Sequence, residues 1–321
     1  MQKLNGIALG TFPFANVFGK VNESDAIDII KRYIDCGGDF IHVSLAYNDC
    51  EVEKLLGRAL KGVSRDAYKL IACCGWGRVD GKLEKSGKAK DVEECCNGAL
   101  QRIGVDYLDV LMSHTPDINT PYEDTIDAMA KMQEVGKCKQ LCVSNVTIDM
   151  LKRYNYSGKV DYIQNRFSLI NQDISQEMFD YCDENDIKIT TYQSVERGLL
   201  TDRVLSGINL SESDLRKKKP EFSDSIQAEI AKWVREYIAP IAERQGMSIL
   251  SLALSWTLQY RPISSVVCGI SKMKYFDDYF VTAQQKLSSV VIGEINNAYE
   301  ALVADIKNRY GKTVHEFMGL N

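Results

Sequence analysis

Short apolar runs recur eight times along this chain, at 7–9, 40–43, 69–73, 108–112, 140–143, 162–164, 188–191 and 266–268, and amphipathic stretches of helix length separate most of them. The stretch after Glu23 shows the pattern. Its apolar residues Ala26, Ile27, Ile30, Tyr33 and Ile34 keep helical spacing. "DVEECCNGALQRI" and "TPYEDTIDAMAKMQEVGK" behave alike, the second with Thr120 as the expected cap and Pro121 just inside the helix. Strand and helix in alternation, eight times over, predict an α/β fold with a closed parallel sheet, the (β/α)8 TIM barrel. A doubly wound open sheet is the alternative. It would place a glycine-rich turn after the first strand, and none is present. "GWGRVDG" after the third run has glycines at the wrong spacing for a dinucleotide fingerprint and reads as a loop.

With no internal repeat, low-complexity tract or linker, the 321 residues are expected to form a single barrel domain, 1–321. One insertion interrupts the rhythm. Residues 195–225, after the seventh run, carry little periodicity, and in a barrel they would lie on the face where strand C-termini point. From Ser288 onward a long helix and tail are expected outside the eight units.

Charge excludes some functions. A net charge of −5 gives no electrostatic case for nucleic acid or an anionic membrane. The basic cluster Arg216 to Lys219 reads as a solvated loop. "MQKLNGIALG" lacks a basic region followed by a sustained apolar run, so no secretion leader is expected, and no apolar run comes near the roughly 20 residues that span a bilayer. Ten cysteines without a CxxC pair read as reduced core thiols, Cys138 and Cys142 among them, so the expected compartment is the cytoplasm.

Several longer motifs carry a family resemblance. "IALGTF", "GVDYLDVLMSHTPD", "QLCVSNV", "VDYIQNRFSLIN", "TYQSVERGLL", "LALSWTLQ" and "VVCGIS" follow one another over nearly the whole chain. In order and spacing the chain resembles the aldo-keto reductases. That resemblance implies a barrel that reduces aldehydes and ketones with NAD(P)H. It implies four residues at the barrel mouth: an aspartate ending strand two, a tyrosine beyond it, a lysine ending strand three and a histidine ending strand four. Here the tyrosine is Tyr47 and the histidine His114, but His42 stands for the aspartate. Cys74 stands for the lysine, with its neighbour Cys73 the alternative.

This double change has a physical logic. A tyrosine with an ordinary pKa near ~10 gives up its proton only when the phenolate is stabilised. A neighbouring ammonium can shift such a pKa by roughly 1–3 units. Losing one member of a buried Lys–Asp pair would strand a charge, whereas losing both does not. The expected result is a poor reductase of the ordinary kind.

The resemblance implies a better-kept cofactor cradle. Ser144, Asn145 and Gln164 fall where the family hydrogen-bonds the nicotinamide carboxamide, and Tyr192 where it stacks on the ring. Arg197, Gly198, Leu199 and Leu200 begin the pyrophosphate loop, with Ser194 in place of the usual proline just before it. Ser271 and Lys272 fall at the adenosine 2′-phosphate, so NADP(H) is expected over NAD(H). Tyr275 and Tyr279 occupy positions often held by Gln and Asn.

Three readings of the altered residues stay open. His42, titrating near neutrality, or His114 can work as acid or base with Tyr47. Cys74 can be a histidine-paired thiolate. Two imidazoles and a thiolate can hold Zn²⁺ with an open fourth position. Against them stands a structural role, with Cys74 a buried core thiol and His42 a satisfied core histidine, while Trp76 reads either as a wall of the substrate pocket or as a packing aromatic. At the level of function, the leading expectation is an atypical NAD(P)H-dependent oxidoreductase acting on a small polar or sugar-like substrate. A lyase, dehydratase or epimerase and a non-catalytic binding protein are the alternatives. The sequence leaves the oligomeric state open.

Overall fold

The computed structural model describes residues 4, 6–172 and 174–320. The barrel strands are β1 (Ile7–Gly10), β2 (Phe40–Val43), β3 (Lys69–Cys74), β6 (Leu108–Ser113), β7 (Cys138–Ser144), β8 (Tyr162–Arg166), β9 (Lys188–Tyr192) and β10 (Ile263–Gly269). Each pairs in parallel with its neighbours, and β1 pairs with both β2 and β10, which closes the sheet. All eight expected runs are strands. Around them lie α1 (Glu23–Asp35), α2 (Glu51–Leu60), α3 (Ala89–Ile103), α4 (Tyr122–Glu134), α5 (Ile148–Tyr154) and α6 (Gln176–Glu184). α7 (Asp224–Trp233), α8 (Ala239–Arg244), α9 (Ile249–Thr257) and α10 (Phe276–Gln284) complete the ring. α11 (Ser289–Tyr310) and α12 (Val314–Met318) follow.

The strands are apolar on both faces, as a sheet inside a ring of helices requires. Ala8, Phe40, Ile71, Cys73, Val110, Met112, Cys142 and Tyr162 fill the barrel interior. Residues one position away, such as Leu70, Ala72 and Cys74, belong to the layer between sheet and helices. This parity decides which side chains reach the mouth.

Three local expectations change. "GWGRVDG" is a hairpin, β4 (Trp76–Val79) with β5 (Lys82–Lys85), rather than a loop. Gly75, at φ +92°, supplies the left-handed turn that swings the chain out of β3. Helix α4 has Pro121 at the cap position with no side-chain cap, and the Thr120 hydroxyl donates to Asp117 at 2.7 Å. The 195–225 segment is not loose. It folds into short 3₁₀ turns and is tied down by buried ion pairs, Arg166 with Glu196 and Arg197 with Glu221. Arg216, expected in solvent, is buried. It forms an ion pair with Asp214 at 2.6 Å and donates to the Arg197 carbonyl at 2.9 Å. The tail ends in α12, started by a capping box between Thr313 and Glu316. Among the described residues no helix is long and apolar enough to cross a membrane.

Candidate active site

Three rings converge at the C-terminal end of the barrel. β2 presents His42, the turn beyond it presents Tyr47, and His114 follows directly on β6. The ring centres lie 6.0 Å (His42–Tyr47), 6.1 Å (Tyr47–His114) and 6.3 Å (His42–His114) apart. Phe12 packs on Tyr47 with ring centres 5.0 Å apart. All three convergent side chains line one cavity of about 740 Å³.

The hydrogen bonds assign a protonation state to one imidazole. Trp76 Nε1 donates to His114 Nδ1 at 3.1 Å. An indole N–H can only donate, so His114 Nδ1 is the acceptor and a neutral ring carries its proton on Nε2. Trp76 is therefore more than packing, because it sets the tautomer of His114. Burial lowers the His114 pKa to about 4, which keeps the ring neutral.

His42 is more enclosed. Its Nδ1 lies 3.5 Å from the Tyr47 hydroxyl and its Nε2 lies 3.6 Å from the sulfur of Cys73. Burial first, and repulsion from His114 second, lower its pKa to about 3. This corrects the expectation of a histidine titrating near neutrality. His42 is neutral throughout the physiological range and does not reproduce a fixed ammonium charge. Burial, with no cation beside it among the described residues, drives the Tyr47 pKa well above the ordinary value.

Cys74 is placed elsewhere. It faces the helix layer, near Cys95, Cys96 and Cys138, and burial pushes its thiol far up. Neither a nucleophilic thiolate nor a zinc ligand converging with the two histidines is formed by Cys74. The residue that occupies the third-strand position inside the barrel is Cys73, the alternative in that pair of adjacent thiols. Among the described residues no cluster of His, Cys, Asp and Glu has metal-binding geometry. Ser44 is a further participant that the sequence did not single out. Its hydroxyl lies 3.4 Å from His114 Nδ1.

The remaining candidates line the same cavity: Ser144, Asn145, Gln164, Tyr192, Gly198, Ser271 and Lys272, together with Tyr275 and Tyr279. Leu199 does not. It is fully buried in the core beneath the loop. Asn145, in the left-handed region at φ +60°, turns its amide to donate to the His114 carbonyl at 2.8 Å. Its side-chain oxygen accepts from the Tyr192 hydroxyl at 2.5 Å. Ser144 donates to the Gln164 carbonyl at 2.7 Å, and the Gln164 carboxamide lines the cavity wall. The donors and acceptors, the flanking aromatic ring and a volume in the ligand-pocket range fit a nicotinamide dinucleotide.

The two depressed histidines carry a consequence for stability. An unfolded chain protonates them near 6.5, while the folded chain holds out to about 4 (His114) and about 3 (His42). Their contribution is complete above pH 6.5 and is lost as pH falls through that window. Each costs up to about 1.4 kcal/mol per pH unit there. Urea denaturation at pH 7.5 and 5 should therefore show a smaller pH difference for His42→Asn than for the parent. An unchanged difference would mean that His42 is protonated in the folded state.

Comparison with known proteins agrees with this architecture. The profile described as Aldo/keto reductase family matches residues 6–300. The NADH-specific methylglyoxal reductase of Escherichia coli (strain K12) is 27% identical over 275 residues, spanning 82% of this chain and 83% of that protein. Aldo-keto reductase YhdN of Bacillus subtilis (strain 168) is 25% identical over 303 residues, 93% of this chain and 91% of that one. Among solved structures, the glycerol dehydrogenase AKR11B4 from Gluconobacter oxydans superposes with a TM-score of 0.80 at 20% identity, over 95% of this chain and 92% of that chain.

Proposed function

Because the chain belongs to the aldo/keto reductase family, we propose that it interconverts a carbonyl and an alcohol on a small polar substrate, with Tyr47 as the proton donor. The observation that carries this reading is the convergence of Tyr47, His42 and His114 on the cavity that Ser144, Asn145 and Gln164 also line, the three residues assigned in this reading to the nicotinamide carboxamide. A bound nicotinamide supplies the hydride in reduction and accepts it in oxidation. The protein's part is to orient the carbonyl and manage one proton.

In the reducing direction the oxygen gains negative charge as the carbon is reduced. The Tyr47 O–H bond breaks and its proton passes to that oxygen. His114 Nε2–H, fixed by Trp76, is a second donor to the same atom. The phenolate left on Tyr47 has no ammonium beside it among the described residues. Its stabiliser is the Nδ1 edge of His42, at 3.5 Å, until solvent returns the proton. A neutral N–H stabilises a phenolate less than a cation does, so turnover is expected to be slow. In the oxidising direction the same groups accept the alcohol proton.

NADP(H) is the preferred cofactor in this reading. Lys272 lies exposed on the cavity lip beside Ser271, and its ammonium has no ion-pair partner among the described residues. A 2′-phosphate would supply that partner. The E. coli relative, by contrast, is named for NADH. Fluorescence titration with NADPH and NADH is the test of function, followed by a carbonyl screen that includes methylglyoxal and sugar aldehydes. Binding of either cofactor at micromolar concentration is expected, NADPH the tighter. Lys272→Glu should reverse that order by weakening NADPH about tenfold while leaving NADH nearly unchanged. Absence of binding at millimolar cofactor would overturn the oxidoreductase reading.

A further inference from the structure

We propose that Cys73 is the positioning residue of this site: its S–H donates to Nε2 of His42 and so fixes the ring in the Nδ1–H tautomer, aimed at Tyr47. The inference rests on the reading of Tyr47 as the acid and deepens it.

A neutral imidazole has one donor and one acceptor nitrogen, and the two tautomers have opposite consequences here. With the proton on Nε2, Nδ1 becomes an acceptor and draws the Tyr47 hydroxyl toward itself, away from a substrate. With the proton on Nδ1, the ring donates to the phenolic oxygen. The Tyr47 hydroxyl is then free to donate into the cavity, and the phenolate is already hydrogen-bonded when it forms.

The surroundings of His42 decide between them. Apart from Tyr47, its ring hydrogen-bonds only to Cys73 Sγ, 3.6 Å from Nε2, among the described residues. Sulfur is a weak acceptor, so the better bond has the thiol donating and Nε2 accepting. The Ser44 hydroxyl favours the sulfur as an acceptor, which leaves the S–H as the group to meet His42. The other interior neighbours, Ile71, Val110, Met112 and Cys142, offer no competing strong acceptor. The thiol stays protonated, because burial raises its pKa far above the ordinary cysteine value. Cys73 therefore neither attacks substrate nor carries charge. It acts through His42.

The test is the protonation pattern of His42, read by ¹⁵N NMR of histidine-labelled protein without cofactor or substrate. The chain has three histidines, so His42→Asn and His315→Gln spectra assign the signals. Wild type should show His42 protonated on Nδ1. Cys73→Ser, which keeps a donor, should retain that pattern and keep kcat within about threefold. Cys73→Ala should shift the proton toward Nε2 and lower kcat on the order of tenfold at unchanged cofactor Kd. An Nε2–H signal in wild type, or no change in Cys73→Ala, overturns the proposal even in an active enzyme. A chain that shows the tautomer switch yet reduces no carbonyl supports the positioning role of Cys73 and refutes the functional reading instead.

Discussion

Tyr47→Phe is expected to lower kcat for carbonyl reduction by roughly 10²–10⁴, the range that general acid catalysis contributes, while cofactor affinity stays within about twofold. The change removes one oxygen and little else. The ring keeps its packing against Phe12, 5.0 Å between centres. The lost contact to His42 is a long one, 3.5 Å, so the effect on folding stability should stay below about 1 kcal/mol. Kinetics and stability thus separate cleanly. His114 remains as the other neutral donor facing the cavity, with its Nε2–H set by Trp76. If the variant lost less than tenfold, His114 would be the principal proton donor and Tyr47 an orienting group. Steady-state assays with the best carbonyl from the screen, alongside urea denaturation, are sufficient to decide.

The sequence revealed the barrel because barrel formation is a matter of periodicity, and eight apolar runs at workable spacing leave few alternatives. Element ends proved harder, since they depend on local competition. Helix α4 takes Pro121 rather than Thr120 at its cap position, a one-residue shift that periodicity does not resolve. The site was half legible. Tyr47 and His114 lie in motifs that fix their register, whereas "KLIACCGWG" offers two adjacent thiols in a strand that is apolar on both faces. In a half-exposed strand the polar alternation would have named the inward one. Here only the closed sheet does so, by placing Ile71 and Cys73 in the interior and Leu70, Ala72 and Cys74 against the helices. The charge state of His42 was also beyond the sequence. It follows from the degree of enclosure and from a second imidazole 6.3 Å away, both tertiary properties. Arg216 failed as a surface residue for a related reason. A basic run in a loop is solvated by default, and its carboxylate partner Asp214, two residues upstream, becomes an ion pair only after the loop coils.

Cys73→Lys alone should destabilise the fold severely, and adding His42→Asp should recover a large part of the loss. The single variant places four methylenes and an ammonium at a fully buried interior position whose neighbours are Ile71, Val110, Met112 and Cys142. The space beside it is already filled by the His42 imidazole, 3.6 Å from the present sulfur. Overpacking costs about 1–3 kcal/mol, and an unpaired buried charge roughly 3–5 kcal/mol. Some of the second cost is avoided by losing the proton, because burial can depress a lysine pKa by about 3–5 units. In that state stability falls further as pH is lowered from the unfolded lysine value through the folded one, since the unfolded chain binds the extra proton. His42→Asp changes both terms. A carboxylate is smaller than an imidazole and carries the opposite charge, so it vacates volume and pairs the ammonium. At least half of the single variant's loss should return in the double variant, and each change alone should be worse than both together. Urea denaturation of the two singles and the double, at one pH, measures the coupling. Additive losses would mean that the two side chains do not share the space at the barrel mouth, and the idea that His42 and Cys73 substitute jointly for a charged pair would fall.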